Sequence, residues 1–384
     1  MPIYFDYNAT TPLDGAVREA MMPFLDGVWG NPSSVHSVGR MAREALDEAR
    51  YRLSGLWRCR PSEVVFTGGG TEANNLAVFG TARLLRDRGR HLVTSPVEHP
   101  AVLHAFRCLE AFEGFEVTIL PVDAAGRVDP ESVARTVRPD TTLVSVMAAN
   151  NEVGTIQSVA AIGAVCRERG VVFHTDAVQA LGKLPFGDIH QFGADLVAVC
   201  AHKFHGPKGA GALFIRSPLL PRPVQVGGGH ENERRAGTEN LAAIAGLVEA
   251  FARFVPSPAF DADRLGPWTR RLAAGAAAVP GVTLRGDPEG RLPNTIAFTV
   301  KDTDGIALMA ALDLAGICAS SGSACSAGSL EPSHVLQAMG VPPGEANALV
   351  RFSLGRDTTG AEVDRVLDAL PAVIRQVRRI PRRD

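Results

Sequence analysis

From about Arg40 onward the hydrophobic pattern switches repeatedly between two periods. Ser37–Trp57, SVGRMAREALDEARYRLSGLW, spaces its apolar residues at the helical period. Glu63–Thr67, EVVFT, is a short β-branched run, and Thr71–Gly89, TEANNLAVFGTARLLRDRG, is helical again. The alternation continues through HLVTS, the helical PAVLHAFRCLEAF, FEVTILPV, TLVSVMAAN, the helical SVAAIGAVCRERG, VVFHTDA, DLVAVCA and GALFIR. Short apolar runs separated by helices predict βαβ units and an α/β fold with a mostly parallel, buried sheet. Ligands of such sheets sit beyond the carboxyl ends of the strands.

Near FVPSPAFDADRLGPW (Phe254–Trp268) the periodicity loosens. Beyond it TIAFTV, the helical GIALMAALDLAG, ALVRFSLG and the helical GAEVDRVLDALPAVIRQVRR predict a smaller α+β domain. A boundary near residue 255 assigns 15–255 to a large domain. Residues 1–14 and 256–384 then form the small one, which carries the loop at about 320–333. That loop, SSGSACSAGSLEPS, is built of small and polar residues around a single thiol, Cys325. LEPSHVLQAMG reads as the start of a helix with Pro332 or Ser333 near its first turn.

Composition narrows the function classes. Lys+Arg 39 against Asp+Glu 41 leaves the chain near neutrality, which argues against nucleic acid or an anionic membrane as a direct partner. No apolar run approaches the ~18 residues of a membrane span. The start, MPIYFDYNATTP, shows no signal-peptide pattern. The six cysteines are scattered without a C-x-x-C pair, as expected for reduced thiols in a cytoplasm. Lysine is scarce, confined to Lys183, Lys203, Lys208 and Lys301.

Three constellations carry candidate chemistry. In EVVFTGGGTEANN a strand runs through Gly68, Gly69, Gly70 and Thr71 straight into a helix. That is either a phosphate cradle on a helix N-terminus or a plain tight turn capped by Thr71. Asp176, at the end of VVFHTDA, is either a turn aspartate or the carboxylate that keeps a pyridine nitrogen protonated, with Gln179 in the same site. In DLVAVCAHKFHGPKG a lysine lies just past a buried strand, flanked by His202 and His205. A surface lysine is one reading and a Schiff-base lysine the other, with Lys203 preferred over Lys208 for its proximity to the strand end. A zinc site on Cys200, His202 and His205 has no second cluster to complete it, so no metal is expected. Cradle, aspartate and lysine together point to pyridoxal phosphate.

The motifs YFDYNATTP, GNPSSVHSVGR, FTGGGTEANN, EHPAVL, NNEVGTIQ, TDAVQALGKLP, AHKFHGPKGAGALF, GGGHENERRAGTEN, SSGSACSAGSLEPSHVL and VRFSLGR keep one order over nearly the whole chain. In them the chain resembles the pyridoxal-phosphate-dependent cysteine desulfurases of the class V aminotransferase fold. The resemblance is to the branch with a long cysteine loop, that of nitrogenase and iron–sulfur-cluster assembly. It implies a large domain built on a mostly parallel seven-stranded sheet. It further implies that Lys203 forms the Schiff base, Asp176 pairs with the pyridinium nitrogen and Gln179 bonds the phenolic oxygen. His99 would stack on the ring and act as acid or base. Asn151 would contact cofactor or substrate. Gly70, Thr71 and His202, with Cys200 beside them, would hold the phosphate. Thr238 would reach the phosphate of the other subunit of a homodimer, and Arg351 would clamp the substrate carboxylate.

The implied reaction converts L-cysteine to L-alanine and a persulfide on Cys325, for delivery to an iron–sulfur scaffold or sulfur-carrier protein. Selenocysteine lyase or another Cβ–S/Se lyase on the same scaffold is the alternative. An idle binding protein is disfavoured, because Lys203, Asp176 and Cys325 are all present. Two departures stand out. Cys200 occupies a position where many members have serine, and a thiol is the weaker donor. The sequence also ends at RRIPRRD, without the longer tail of some cluster-assembly members.

Overall fold

In this computed structural model residues 2–322 and 332–378 are described. The first strand, β1 (Ile3–Tyr4), is followed by β2 (Val64–Thr67), β3 (His91–Thr94), β4 (Glu116–Ile119), β5 (Thr141–Ser145), β6 (Val172–Asp176), β7 (Leu196–Cys200) and β8 (Gly211–Ile215). β2 to β8 form one seven-stranded sheet in the order β2-β8-β7-β6-β5-β3-β4. The β4-β3-β5-β6-β7 pairs are parallel, whereas β8 is antiparallel to both β7 and β2. The segment between Cys200 and Gly211 holds no long helix, and a parallel return needs a crossover of a dozen or more residues.

The unbroken apolar runs follow from burial on both faces. Val197 and Val199 of β7 join one core cluster with Phe66, Val144, Phe173 and Phe214. Leu196 and Ala198 point the other way, into a cluster with Val65, Leu92, Leu143 and Leu213. The helices Ser37–Trp57 and Leu241–Phe254 cover the first face; Gly70–Leu85 and Pro100–Glu113 cover the second.

A third cluster gathers around an antiparallel sheet of β9 (Val282–Arg285), β10 (Thr295–Val300) and β12 (Leu349–Ser353), ordered β12-β10-β9. β1 pairs in parallel with β11 (Ile317–Cys318). Ile3, Phe5 and Tyr7 all enter this cluster, a period-two pattern expected of an extended arm. The loosened stretch around Phe254–Trp268 contains the start of a helix, Ala262–Ala277, capped by the Asp261 side chain. Pro267 inside that helix obscured its period, but Leu265, Thr269, Leu272 and Ala276 all face the core. Ser333 caps the short helix His334–Ala338 by accepting from Leu336 N.

Glu231, Asn232 and Glu233 trace a left-handed turn, with φ of 50°, 54° and 63°. Such backbone is costly for residues with side chains and persists only where its surroundings hold it. The Glu231 carboxylate supplies the hold. It accepts from both Arg50 Nη atoms (2.9 and 2.5 Å) and from Phe66 N (2.9 Å), and its side chain is fully buried. Replacing Glu231 by alanine leaves the Arg50 charge without its partner. The unfolding free energy, read from urea denaturation, is expected to fall by about 3 kcal/mol; a loss within experimental error would show that the turn holds itself.

Candidate active site

The carboxyl ends of β2, β3, β5, β6 and β7 lie along one edge of the large sheet, and each delivers a polar group there. β2 ends in the glycine turn. Gly69 adopts φ 151°, and the helix Gly70–Leu85 begins at the next residue. A Cβ on Gly70 would come within 3.0 Å of Val178 Cγ2 and 3.3 Å of Cys200 Cβ. A side chain there would be tightly crowded between β6 and β7, and the first N–H groups of the helix are left without intrahelical partners.

β6 ends in Asp176, which is buried. Its carboxylate accepts from Asn74 Nδ2 at 2.7 Å and from Val178 N at 2.9 Å. β7 ends in Cys200, and the turn Ala201–Lys203 follows. Lys203 Nζ donates to the carbonyls of Asn8 and Ala9, both at 2.8 Å. Burial pushes this amine below the ordinary lysine range, and the charge of Arg351 pushes in the same direction, while Cys200, Asp176 and Asp6 oppose them.

His99, after β3, caps the helix Pro100–Glu113; its Nδ1 accepts from Ala101 N at 3.1 Å. A neutral ring that accepts at Nδ1 carries its proton on Nε2. Burial lowers the pKa of His99 and keeps it neutral. His202 meets Thr10 Oγ1 at 3.1 Å, and burial lowers it to about 3. The Cys200 thiol lies within 3.8 Å of the Ala210 carbonyl and is pushed up by burial.

Arg351, on β12, is buried, with its Nη2 on Asp6 Oδ1 at 2.6 Å and its Nη1 on the Asn151 carbonyl at 2.7 Å. Among the described residues its Nε has no partner. Gln179 donates from Nε2 to the Asn8 carbonyl at 3.0 Å and accepts at Oε1 from Lys183.

These residues surround one cavity of about 220 Å³. Gly70, Thr71, His99, Asn151, Asp176, Gln179, Cys200, His202, Lys203 and Arg351 all line it, together with Asn8, Asn74 and Met147. A larger cavity of about 900 Å³ shares Gly70, Thr71, Cys200 and His202, and extends to Lys208, Gln225, Arg234 and Arg235. Thr238 is exposed and borders neither cavity. Cys325 lies outside the described residues. Among the described residues no three His, Cys, Asp or Glu side chains form a metal cluster, and no helix is long and apolar enough to cross a membrane.

Residues 3–366 match the aminotransferase class-V family. The chain belongs to that family. This class V aminotransferase chain is 44% identical over 382 residues to the cysteine desulfurase IscS of Dictyoglomus turgidum, covering 98% of this chain and 96% of that one. To the cysteine desulfurase IscS of Methanosarcina thermophila it is 43% identical over 377 residues, covering 98% and 93%. Among solved structures it resembles a NifS-like protein, with TM-score 0.90 and 36% identity over 98% of this chain and 100% of that one.

Several residues of this class V aminotransferase site escaped the reading of the sequence. Asn74, which holds Asp176, carried one usable signal: it is a polar residue on an apolar helix face. Asp6, the partner of Arg351, sits 345 residues away from it along the chain, with no local pattern to connect the two. Glu98 is fully buried beside His99. It accepts from Ser95 Oγ at 2.6 Å and Met147 N at 2.8 Å through Oε1, while Oε2 has no partner among the described residues. Burial raises its carboxyl from 4.5 to about 8.

The folded chain thus holds the Glu98 proton more tightly than the unfolded chain. The resulting stability is full below the unfolded value and is lost as pH rises through the folded one. Glu98→Gln, which cannot titrate, is expected to gain about 3 kcal/mol relative to the wild type between about pH 5 and pH 8. Urea unfolding at the two pH values measures the difference, and a pH-independent offset would refute a protonated Glu98.

Proposed function

We propose that this chain is a pyridoxal-phosphate-dependent cysteine desulfurase that takes sulfur from L-cysteine and releases L-alanine. The observation that carries the reading is the placement of Lys203, Asp176 and Arg351 on one small cavity at the carboxyl edge of the sheet. Support comes also from relatives named cysteine desulfurase along the whole chain, and from a structural neighbour, SspA, solved in complex with cysteine. That neighbour has TM-score 0.80 and 34% identity, over 93% of this chain and 100% of that one.

The donor set fits pyridoxal phosphate. The glycine turn brings bare main chain to the cavity at Gly70, where a Cβ would press on Val178 and Cys200 at 3.0 and 3.3 Å. Asp176, held by two donors, offers a carboxylate to a protonated ring nitrogen. Gly70, Thr71, Cys200 and His202 would hold the phosphate, Asp176 the ring nitrogen, Gln179 the phenolic oxygen and His99 the ring face. Lys203 would carry the aldehyde carbon. Bound there, the cofactor supplies an electron sink that acidifies the substrate Cα–H.

Each protein group then has a task. Burial keeps Lys203 ready to lose its proton, so its amine can take the Cα proton and deliver it elsewhere in the cavity. Arg351 binds the substrate carboxylate through its planar fork, and Asn151 borders the same space. With Nδ1 engaged, His99 donates from Nε2 before it accepts there.

Cys325 is the nucleophile of the reading. Its thiolate forms a bond to the substrate sulfur while the Cβ–S bond breaks. The electron pair stays on carbon, which takes up a proton on the way to alanine. A free cysteine with pKa ~8.5 is only a few per cent thiolate near pH 7, so deprotonation has to be assisted in the site.

In the same reading 15–255 and 1–14 with 256–384 act as two domains, placing Lys203 on one and Arg351 on the other. The active form is a cytoplasmic homodimer in which Thr238 reaches the phosphate of the neighbouring subunit. The persulfide passes to an acceptor protein, an iron–sulfur scaffold or a sulfur carrier.

Cys325→Ala is expected to keep the yellow cofactor band and its spectral response to L-cysteine, while alanine formation collapses. Unchanged turnover of L-cysteine would remove Cys325 from the chemistry. Arg351→Lys keeps the charge but loses the fork. The KM for L-cysteine, from steady-state alanine release, should rise by about tenfold or more; an unchanged KM would place the substrate carboxylate elsewhere.

A further inference from the structure

Of the three lysines that the proposed chemistry leaves without a task, Lys208 and Lys301 are exposed, whereas Lys183 is among the largest fully buried side chains. Its Nζ meets Gln179 Oε1 and lies 5.3 Å from the centroid of the Phe260 ring. Gln179 in turn donates from Nε2 to the Asn8 carbonyl at 3.0 Å. The same Asn8 carbonyl accepts from Lys203 Nζ at 2.8 Å. One unbroken chain of hydrogen bonds therefore runs from Lys183 through Gln179 and Asn8 to Lys203.

The middle of this chain is a side-chain amide, which can turn over and exchange its oxygen for its nitrogen. Two neighbours decide its orientation. The Asn8 carbonyl accepts only, so it requires the Gln179 nitrogen on its side. The Gln179 oxygen then faces a buried position where only a donor is tolerable, and the Lys183 amine is that donor. An apolar group there would leave the oxygen buried and unsatisfied, removing the preference for the observed orientation. With the nitrogen held at Asn8, its second hydrogen remains for the cavity that Gln179 lines.

We propose that Lys183 is a positioning residue that locks the Gln179 amide with its nitrogen toward the active-site cavity. This rests on the cofactor reading above, in which Gln179 donates to the phenolic oxygen of pyridoxal phosphate. Lys183 does not line the cavity itself and acts only through Gln179. The titratable and charged groups around the cavity are Asp176, His99, His202, Cys200, Lys203 and Arg351, with Asp6 behind Arg351. Burial and the charges of Lys203 and Arg351 all favour a neutral Lys183, and a neutral amine still donates.

The test is a spectroscopic titration of purified, cofactor-loaded protein without substrate. A donor at the phenolic oxygen favours the deprotonated form of the adjacent Lys203–cofactor linkage. Losing it should move the pH midpoint of the visible-band change upward by about one unit, the size of one hydrogen bond to a charged group. Lys183→Met is expected to show that shift and Gln179→Leu a similar one, with the double variant shifted no further than Gln179→Leu alone. Where Lys183→Met does not accumulate folded, Lys183→Leu, which likewise cannot donate, should shift in the same sense. A Lys183 variant that titrates like the wild type, or shifts that add in the double variant, would overturn the proposal. If instead the wild type shows no visible band after incubation with pyridoxal phosphate, the cofactor reading itself has failed.

Discussion

An amine can sit at the mouth of this sheet only because the Asn8 and Ala9 carbonyls turn toward it. Lys203 gains both as acceptors, and Asn8 serves Gln179 with the same oxygen. Leaving such donors unmatched in a buried site would cost the full desolvation of each group. The arm that supplies the carbonyls is itself held from two directions. Ile3, Phe5 and Tyr7 pack among β10, β12 and the helices beside them, and Thr11 bonds the His202 carbonyl through N and Oγ1. One short extended segment thus couples the antiparallel sheet to the carboxyl edge of the parallel one.

Charge in the cavity is balanced by pairing at its rim and by burial at its centre. Asp176 receives two donors, and Arg351 is matched by Asp6 and the Asn151 carbonyl. For Lys203, His99 and His202, burial pushes each toward its neutral form. In the proposed reading, a hydrogen-bonded carboxylate, a buried guanidinium and a set of buried nitrogens are the groups that carbon-acid chemistry on an amino acid demands. Among the described residues Arg351 Nε and Glu98 Oε2 are two of the buried polar atoms that packing did not satisfy.

Legibility in the sequence depended on distance along the chain. Gly68–Thr71, Asp176 and Lys203 were legible because each directly follows an apolar run, and a strand end is a local event. Asn74 and Asp6 were not, since their importance comes from contacts made 102 and 345 residues away. Lys183 lay in plain view as one of four lysines, but nothing local distinguishes a buried amine from an exposed one. The reversal of β8 was likewise invisible in GALFIR, whose composition suits either direction.

By itself the sequence determined the α/β class, the order of strands and helices along the chain, and the residue types available at each strand end. Periodicity and turn chemistry act over a few residues, so they can be read without coordinates. The tertiary structure alone decided which of those strand ends share a cavity, which carbonyls receive Lys203, and which way the Gln179 amide faces. These are relations between segments far apart in sequence, and only packing brings the segments within hydrogen-bonding distance.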